Sequence, residues 1–157
     1  MLIQSQEELF GGVINLRYIT ERGIKVSKLF SKDGLKAIFH GEVKRKGEEI
    51  EILGKFFIEK KMECARCLDE FLFSAEEEVF LVLKPASSLP HSEKIELKME
   101  DLDEDFFESP EIDFYDYMIH LAELFIPQVS FCKPDCKGIC KNCGENLNSG
   151  SCACQKQ

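Results

Sequence analysis

Eight cysteines are the residues in this chain whose type and spacing could do chemistry. Six fall near the C-terminus as Cys132-x3-Cys136-x3-Cys140-x2-Cys143-x8-Cys152-x-Cys154, and two form a Cys64-x2-Cys67 pair mid-chain. Thiolates are soft, strongly donating ligands, and a two-residue spacer lets both sulfurs of a pair face one tetrahedral metal at about 2.3 Å. Eight such ligands close two four-coordinate sites with nothing left over. The expected cofactor is therefore zinc, two ions in all-cysteine structural sites. In Cys140-Lys141-Asn142-Cys143-Gly144 the glycine allows the positive φ with which a metal-binding knuckle turns its amides toward sulfur.

Other cysteine chemistries fit less well. Four disulfides suit a secreted domain, but the chain opens MLIQSQEELFGGV, with neither a basic start nor an apolar run of signal-peptide length. A redox Cys-x-x-Cys needs a strand-to-helix turn, whereas Cys64-Ala65-Arg66-Cys67 sits between two strand-like stretches. The spacing matches neither common ferredoxin run. Two partitions of the ligands are open. In the favoured one Cys140, Cys143, Cys152 and Cys154 close a local site while Cys64 and Cys67 pair with Cys132 and Cys136 across the fold. In the other, Cys64 and Cys67 face Cys140 and Cys143 as opposed knuckles.

The chain has 157 residues, 44% of them apolar, with thirteen Phe and no Trp, enough for one core plus a small metal module. No stretch approaches the about 18 to 20 apolar residues that span a bilayer, so a cytoplasmic location is expected. The formal charge is -9, and two tetrathiolate sites would each add about -2. That charge disfavours non-specific nucleic-acid binding. Between Glu93 and Asp116 eleven acidic residues face only Lys94 and Lys98. This run reads either as an exposed, self-solvating linker or as an acidic face for a basic partner. From Phe131 to Gln157, Lys133, Lys137, Lys141 and Lys156 outnumber Asp135 and Glu145.

The elements that must position the cysteines are mostly strands. Ile50, Ile52, Phe56 and Ile58 alternate with Glu49, Glu51, Lys55 and Glu59, with Gly54 as a candidate bulge. Phe71, Phe73, Val79, Leu81 and Leu83 continue on one parity after the cysteine pair. The two runs predict a hairpin with Cys64 and Cys67 at its connection. Further strands are expected over Gly12 to Ile19 and Leu35 to Val43, with turns at Lys32-Asp33-Gly34 and Lys46-Gly47. One helix is predicted over Ile112 to Ile126, its stripe Tyr115, Ile119, Ala122 and Phe125, capped by Ser109 or Asp113 and stopped by Pro127. The fold class is thus α+β: an antiparallel β-rich sheet or small barrel-like core, one main helix and a C-terminal cysteine-rich zinc module. The expected organisation is a β-rich region over 1–90, an acidic connector and helix over 91–127, and a zinc-binding tail over 128–157 packed on the β-region, forming one compact unit.

No catalytic constellation accompanies this frame. The sequence has no phosphate-cradling glycine loop, no Gly-x-Ser-x-Gly and no His-Glu-x-x-His, and His40, His91 and His120 are scattered singly. His120 reads as a surface or satisfied residue. All-thiolate metal sites are usually closed and structural, so a non-enzymatic protein with no small-molecule substrate is expected.

The combination of Cys64-Ala65-Arg66-Cys67-Leu68 after a strand, the acidic connector, Ile112-Asp113-Phe114 opening the helix, and the tail from Cys132-Lys133-Pro134-Asp135-Cys136 through Cys140-Lys141-Asn142-Cys143-Gly144 to Cys152-Ala153-Cys154 resembles the bacterial YceD-type family. Its members are described as large ribosomal RNA subunit accumulation proteins, and the resemblance runs over roughly residues 10 to 154. It implies a role in accumulation or maturation of large-subunit (23S) ribosomal RNA and in ribosome biogenesis, without known catalysis. The expected partner is a ribosome-assembly component, either a basic ribosomal protein or large-subunit rRNA. A competing reading is a zinc-dependent RNA-binding regulator touching nucleic acid through Lys133, Lys137 and Lys141.

Overall fold

A computed structural model of the chain describes residues 10–89, 103–150, 152 and 154. Strands β1 (Val13–Asn15), β2 (Ile24–Lys32), β3 (Leu35–Lys46), β4 (Glu49–Glu63), β5 (Glu70–Pro85), β6 (Glu104–Phe107) and β7 (Glu111–Asp113) precede helix α1 (Phe114–Glu123). β2 to β6 form a five-stranded sheet in sequence order, and β1 pairs with β7 in a separate ribbon. The large sheet is an antiparallel meander except at β6, which runs parallel to β5. Among the described residues it stays an open sheet, so of the two expected forms the barrel-like one is not adopted.

Side-chain alternation puts one face of the sheet inside. Val26 and Phe30 of β2, Leu35, Ala37, Phe39 and Val43 of β3, Ile50, Ile52, Phe56 and Ile58 of β4, and Val79, Leu81 and Leu83 of β5 are all buried. Helix α1 covers that face with Phe114, Met118, Ile119 and Ala122. The Phe114 ring lies 4.7 Å from Phe10 and 6.5 Å from Phe30, and Phe56 lies 5.2 Å from Phe39. Aromatic rings at such separations add to the stabilisation from buried area. No helix among the described residues is long and apolar enough to cross a membrane.

Local chemistry sets the connections. Asp33 and Gly34 join β2 to β3 with φ of 51° and 81°, the double positive φ of a two-residue turn whose twist matches the strands it joins. Asp113 caps α1 by accepting the Asp116 amide at 3.0 Å. Ser109 instead accepts the amide of Glu111 at 3.2 Å. The Tyr115 hydroxyl accepts from the Ser31 amide at 2.9 Å and donates to the Ser31 carbonyl at 3.1 Å, so the helix occupies part of the outer edge of β2.

Three expectations need correction. Gly54 is not a bulge, because the β3–β4 and β4–β5 registers run through it without an extra residue. It pairs with Gly41, and a Cβ on Gly54 would come within 2.8 Å of the Phe39 ring, so the two glycines make room for that ring. The strand expected over Gly12 to Ile19 ends at Asn15, whose side chain accepts the Arg17 amide at 3.0 Å and opens a 3-10 turn over Leu16–Tyr18. The acidic run is part of the fold from Asp103 onward: Glu104 pairs with Lys84, and Asp105 accepts a hydrogen bond of 3.0 Å from the Tyr117 hydroxyl. Glu93 to Leu102, the first part of the run read as a linker or an acidic face, lies outside the described residues.

Candidate metal centres

The long β4–β5 hairpin turns through Cys64–Asp69, and this turn has the form of a knuckle. The Cys64 amide donates to the Asp69 carbonyl at 2.9 Å, and the Leu68 amide donates back to the Cys64 carbonyl at 2.9 Å. Leu68 takes a φ of 64° to allow it. The incoming tail is laid against this turn by a 2.9 Å hydrogen bond from the Ala65 amide to the Ser130 carbonyl. Arg66 completes the clamp. Its guanidinium lies 4.2 Å over the Phe131 ring and donates to the carbonyls of Pro134 at 3.3 Å and Cys136 at 3.2 Å.

The result is a group of four thiols, Cys64, Cys67, Cys132 and Cys136, whose sulfurs all lie within 4.8 Å of one another. Cys64 and Cys136 are 3.7 Å apart, as are Cys67 and Cys132. A tetrahedron of sulfurs about 2.3 Å from a central ion has edges of about 3.8 Å, so these separations match a tetrathiolate site. They are far longer than the about 2.0 Å of a disulfide. Cys64, Cys67 and Cys136 are buried, with Phe71 and Ile139 packed against them. Asn148 donates its side-chain amide to the Cys136 sulfur at 3.2 Å, an outer contact of the kind that orients a metal ligand.

Cys140, Cys143, Cys152 and Cys154 form a second group within the same 4.8 Å limit. Cys140 and Cys152 are buried, whereas Cys143 and Cys154 are exposed. The knuckle repeats the first in its backbone: the Cys140 amide donates to Glu145 at 2.8 Å, and the Gly144 amide donates to Cys140 at 2.9 Å, with Gly144 at a φ of 75°. The two centres are linked. Asn146, which caps the 3-10 turn Leu147–Ser149, donates its side-chain amide to Asp69 beside the first knuckle, and its backbone bridges to Ile139.

The electrostatics of each group suit a cation. Burial would raise the Cys64 thiol, but hydrogen bonds from the amides of Cys67, Cys132 and Arg66 outweigh it and hold it at about 6. The amides of Cys143 and Asn142 hold Cys140 at about 6 as well. Asn148 keeps Cys136 below the ordinary thiol value. In contrast, burial and the neighbouring thiols push Cys132 up to about 12, and the hydrogen bond with Cys143, then burial, push Cys154 to about 12. Each group thus combines thiols held low, Cys64 and Cys136 in one and Cys140 in the other, with thiols held high, Cys67 and Cys132 in one and Cys152 and Cys154 in the other, which a cation would have to deprotonate.

All eight cysteines named from the sequence fall into these groups, in the grouping favoured above, and either group could hold a metal ion. The two described histidines stand apart. His40 shares a 2.8 Å hydrogen bond with Ser27, His120 lies 3.3 Å from Asp116 on an exposed helix face, and His91 lies outside the described residues. Cysteine spacing alone does not single out Arg66, Asn146 and Asn148. Arg66 sits inside the Cys64–Cys67 spacer and Asn148 follows the last knuckle closely, so proximity to ligands was the available signal.

Residues 54–157 match the family model described as Large ribosomal RNA subunit accumulation protein YceD. The chain belongs to the YceD family. The matched span takes in β4 from Gly54 onward, β5, helix α1 and all eight cysteines, so β1 to β3 and the first five residues of β4 fall outside it. This is narrower than the resemblance over residues 10 to 154. The family description names an accumulation protein. No match was found among curated proteins, and none among solved structures.

Proposed function

We propose that this chain is a non-enzymatic, zinc-stabilised factor in the accumulation or maturation of large-subunit (23S) ribosomal RNA, working in the cytoplasm. One zinc would be held by Cys64, Cys67, Cys132 and Cys136, and a second by Cys140, Cys143, Cys152 and Cys154. The observation that carries the reading is the coincidence of two things: the YceD match spans all eight cysteines, and their sulfurs converge four by four. Four thiolates leave a zinc ion no open position for a substrate, which favours a structural over a hydrolytic role. In this reading residues 128–157 are a module that metal joins to the β-region at the β4–β5 turn. The net charge of -9 favours a basic protein of the assembling subunit as the direct partner.

Depleting the chain in its host and measuring 23S against 16S rRNA tests this. We expect 23S to fall relative to 16S, wild type to restore it, and Cys136→Ser to fail. An unchanged 23S to 16S ratio on depletion would sink the proposal. The second reading, direct RNA contact, draws on the exposure of Lys133, Lys137 and Lys141 on the tail. It predicts RNA affinity that falls with salt at a log–log slope of about -0.7 to -0.9 per phosphate neutralised.

A further inference from the structure

Beside the sheet's last strand the fold leaves a groove of about 770 Å³. β6 covers β5 only from Val82 to Pro85, so among the described residues the outer side of β5 from Glu70 to Leu81 has no strand partner. The groove opens at this edge, between the sheet and the C-terminal end of α1. Leu81, Leu121, Leu124 and Phe125 give it an apolar lining, and Leu124 is 80% exposed. Its rim carries Glu78, Asp103, Glu104 and Asp105 against a single cation, Lys55, which lies 3.6 Å from Glu78, so its balance is acidic. Glutamates on an edge strand are a common guard against unwanted pairing. An apolar groove under the same edge is the opposite of a guard, because it rewards a strand that brings apolar side chains with it.

We propose that this groove and the open edge of β5 take up an extended basic segment of another protein, one that adds a strand to β5, seats alternate apolar side chains against Leu121 and Leu124, and pairs its Lys or Arg residues with the acidic rim. Charge selects this occupant. A second copy of a chain carrying -9 is repelled, as is RNA. The chain's own residues 93–102 bring Glu93, Glu96, Glu100 and Asp101 against only Lys94 and Lys98, the wrong sign for the rim. The inference deepens the functional reading above and rests on it, since it supplies the contact through which an acidic factor would meet a basic component of the assembling large subunit.

The probe is a fluorescein-labelled peptide of about ten residues alternating Lys and Val, titrated into the full-length, zinc-loaded chain. Controls are the same peptide with Glu for Lys, and one with alternate amides N-methylated, which cannot extend a sheet. Saturable binding is expected, with backbone amides of residues 76–81 gaining protection from exchange, at least tenfold weaker binding to Leu124→Arg, and no binding of either control. Glu78→Lys provides a second variant on a different element, expected to weaken binding about threefold. The proposal is overturned if the peptide does not saturate, if both variants bind as wild type does, or if binding appears only after residues 92–99 are deleted, which would mean that the chain fills its own groove. In depleted cells the two readings separate. Failure of wild type to restore 23S rRNA defeats the functional reading, whereas full restoration by both wild type and Leu124→Arg defeats the groove alone.

Discussion

The knuckle at Cys64–Leu68 and the knuckle at Cys140–Gly144 make the same pair of backbone hydrogen bonds, from the first cysteine's amide to the residue five ahead and back from the residue four ahead. They differ in what surrounds them. The first closes a hairpin of 15- and 16-residue strands whose inner face belongs to the main core. The second lies in a tail where Phe131, Ile139 and Leu147 are the large apolar residues between Phe131 and Gln157, and Phe131 is itself exposed. Identical local geometry therefore rests on two different supports. Burial of apolar area holds one, while the other must draw its order from metal–thiolate bonds and from its ties to the first.

Removing metal should separate the two most strongly. Structural zinc in small modules contributes on the order of 10 kcal/mol, and the tail has no core to replace it. Chelation should make residues 128–154 exchange their amides freely and open them to protease, while far-ultraviolet circular dichroism keeps its strand signal. A tail that stays protected without metal would break the comparison.

Single ligands should grade the effect. Cys136→Ser removes the centre that ties tail to hairpin and should expose the whole tail. Cys143→Ser should leave residues 128–136 protected with one zinc per chain, because its centre lies outward, with Cys143 and Cys154 exposed. Limited proteolysis with native mass spectrometry reads both. Equal cleavage patterns for the two variants would mean that the centres act as one.

Acid should follow from the thiols. Cys64 and Cys140 are lowered to about 6, so their ionised forms favour the folded centres above the ordinary thiol range, and that contribution is lost as pH falls through about 6. Metal release should therefore grow as pH drops below about 6, read by a zinc-sensitive dye. At neutral pH, zinc uptake should release protons, from Cys132 and Cys154 above all, measurable by calorimetry in buffers of different ionisation enthalpy.

The smallest effects sharpen the contrast between the knuckles. Leu68 holds a φ of 64° that Gly144 adopts freely at 75°, and the left-handed region costs a residue with a Cβ about 1 kcal/mol or more. Leu68→Gly should be neutral or stabilise by up to about 1 kcal/mol, while Gly144→Leu should cost about that much, by denaturant melts of the zinc-loaded chain. A clear loss of stability in Leu68→Gly would show that its side chain, 54% exposed, contributes more than its backbone costs.

Much of this frame was legible because it is local. The Asp33-Gly34 turn, the Asp113 cap and the alternation of β4 each depend on a few neighbouring residues, and so does Gly144 after Cys143. What escaped depends on partners far along the chain. β2 carries Ser27, Lys28 and Leu29 between its buried Val26 and Phe30, which blurs the alternation until β3 is placed beside it. β6 is four residues long, two of them acidic, and exists as a strand by lying along β5. Gly54 made sense only opposite Gly41 and under Phe39. The Asn148 contact to Cys136 and the stacking of Arg66 on Phe131 likewise arise once the tail meets the hairpin.

Metal content and coordination measured on the full-length chain, by native mass spectrometry together with zinc-edge X-ray absorption, decide whether the two cysteine groups are zinc centres. Two zinc ions per chain are expected, each with four sulfur neighbours at about 2.3 Å. One zinc per chain, a nitrogen or oxygen ligand in the zinc shell, or a disulfide among Cys64, Cys67, Cys132 and Cys136 would contradict that expectation.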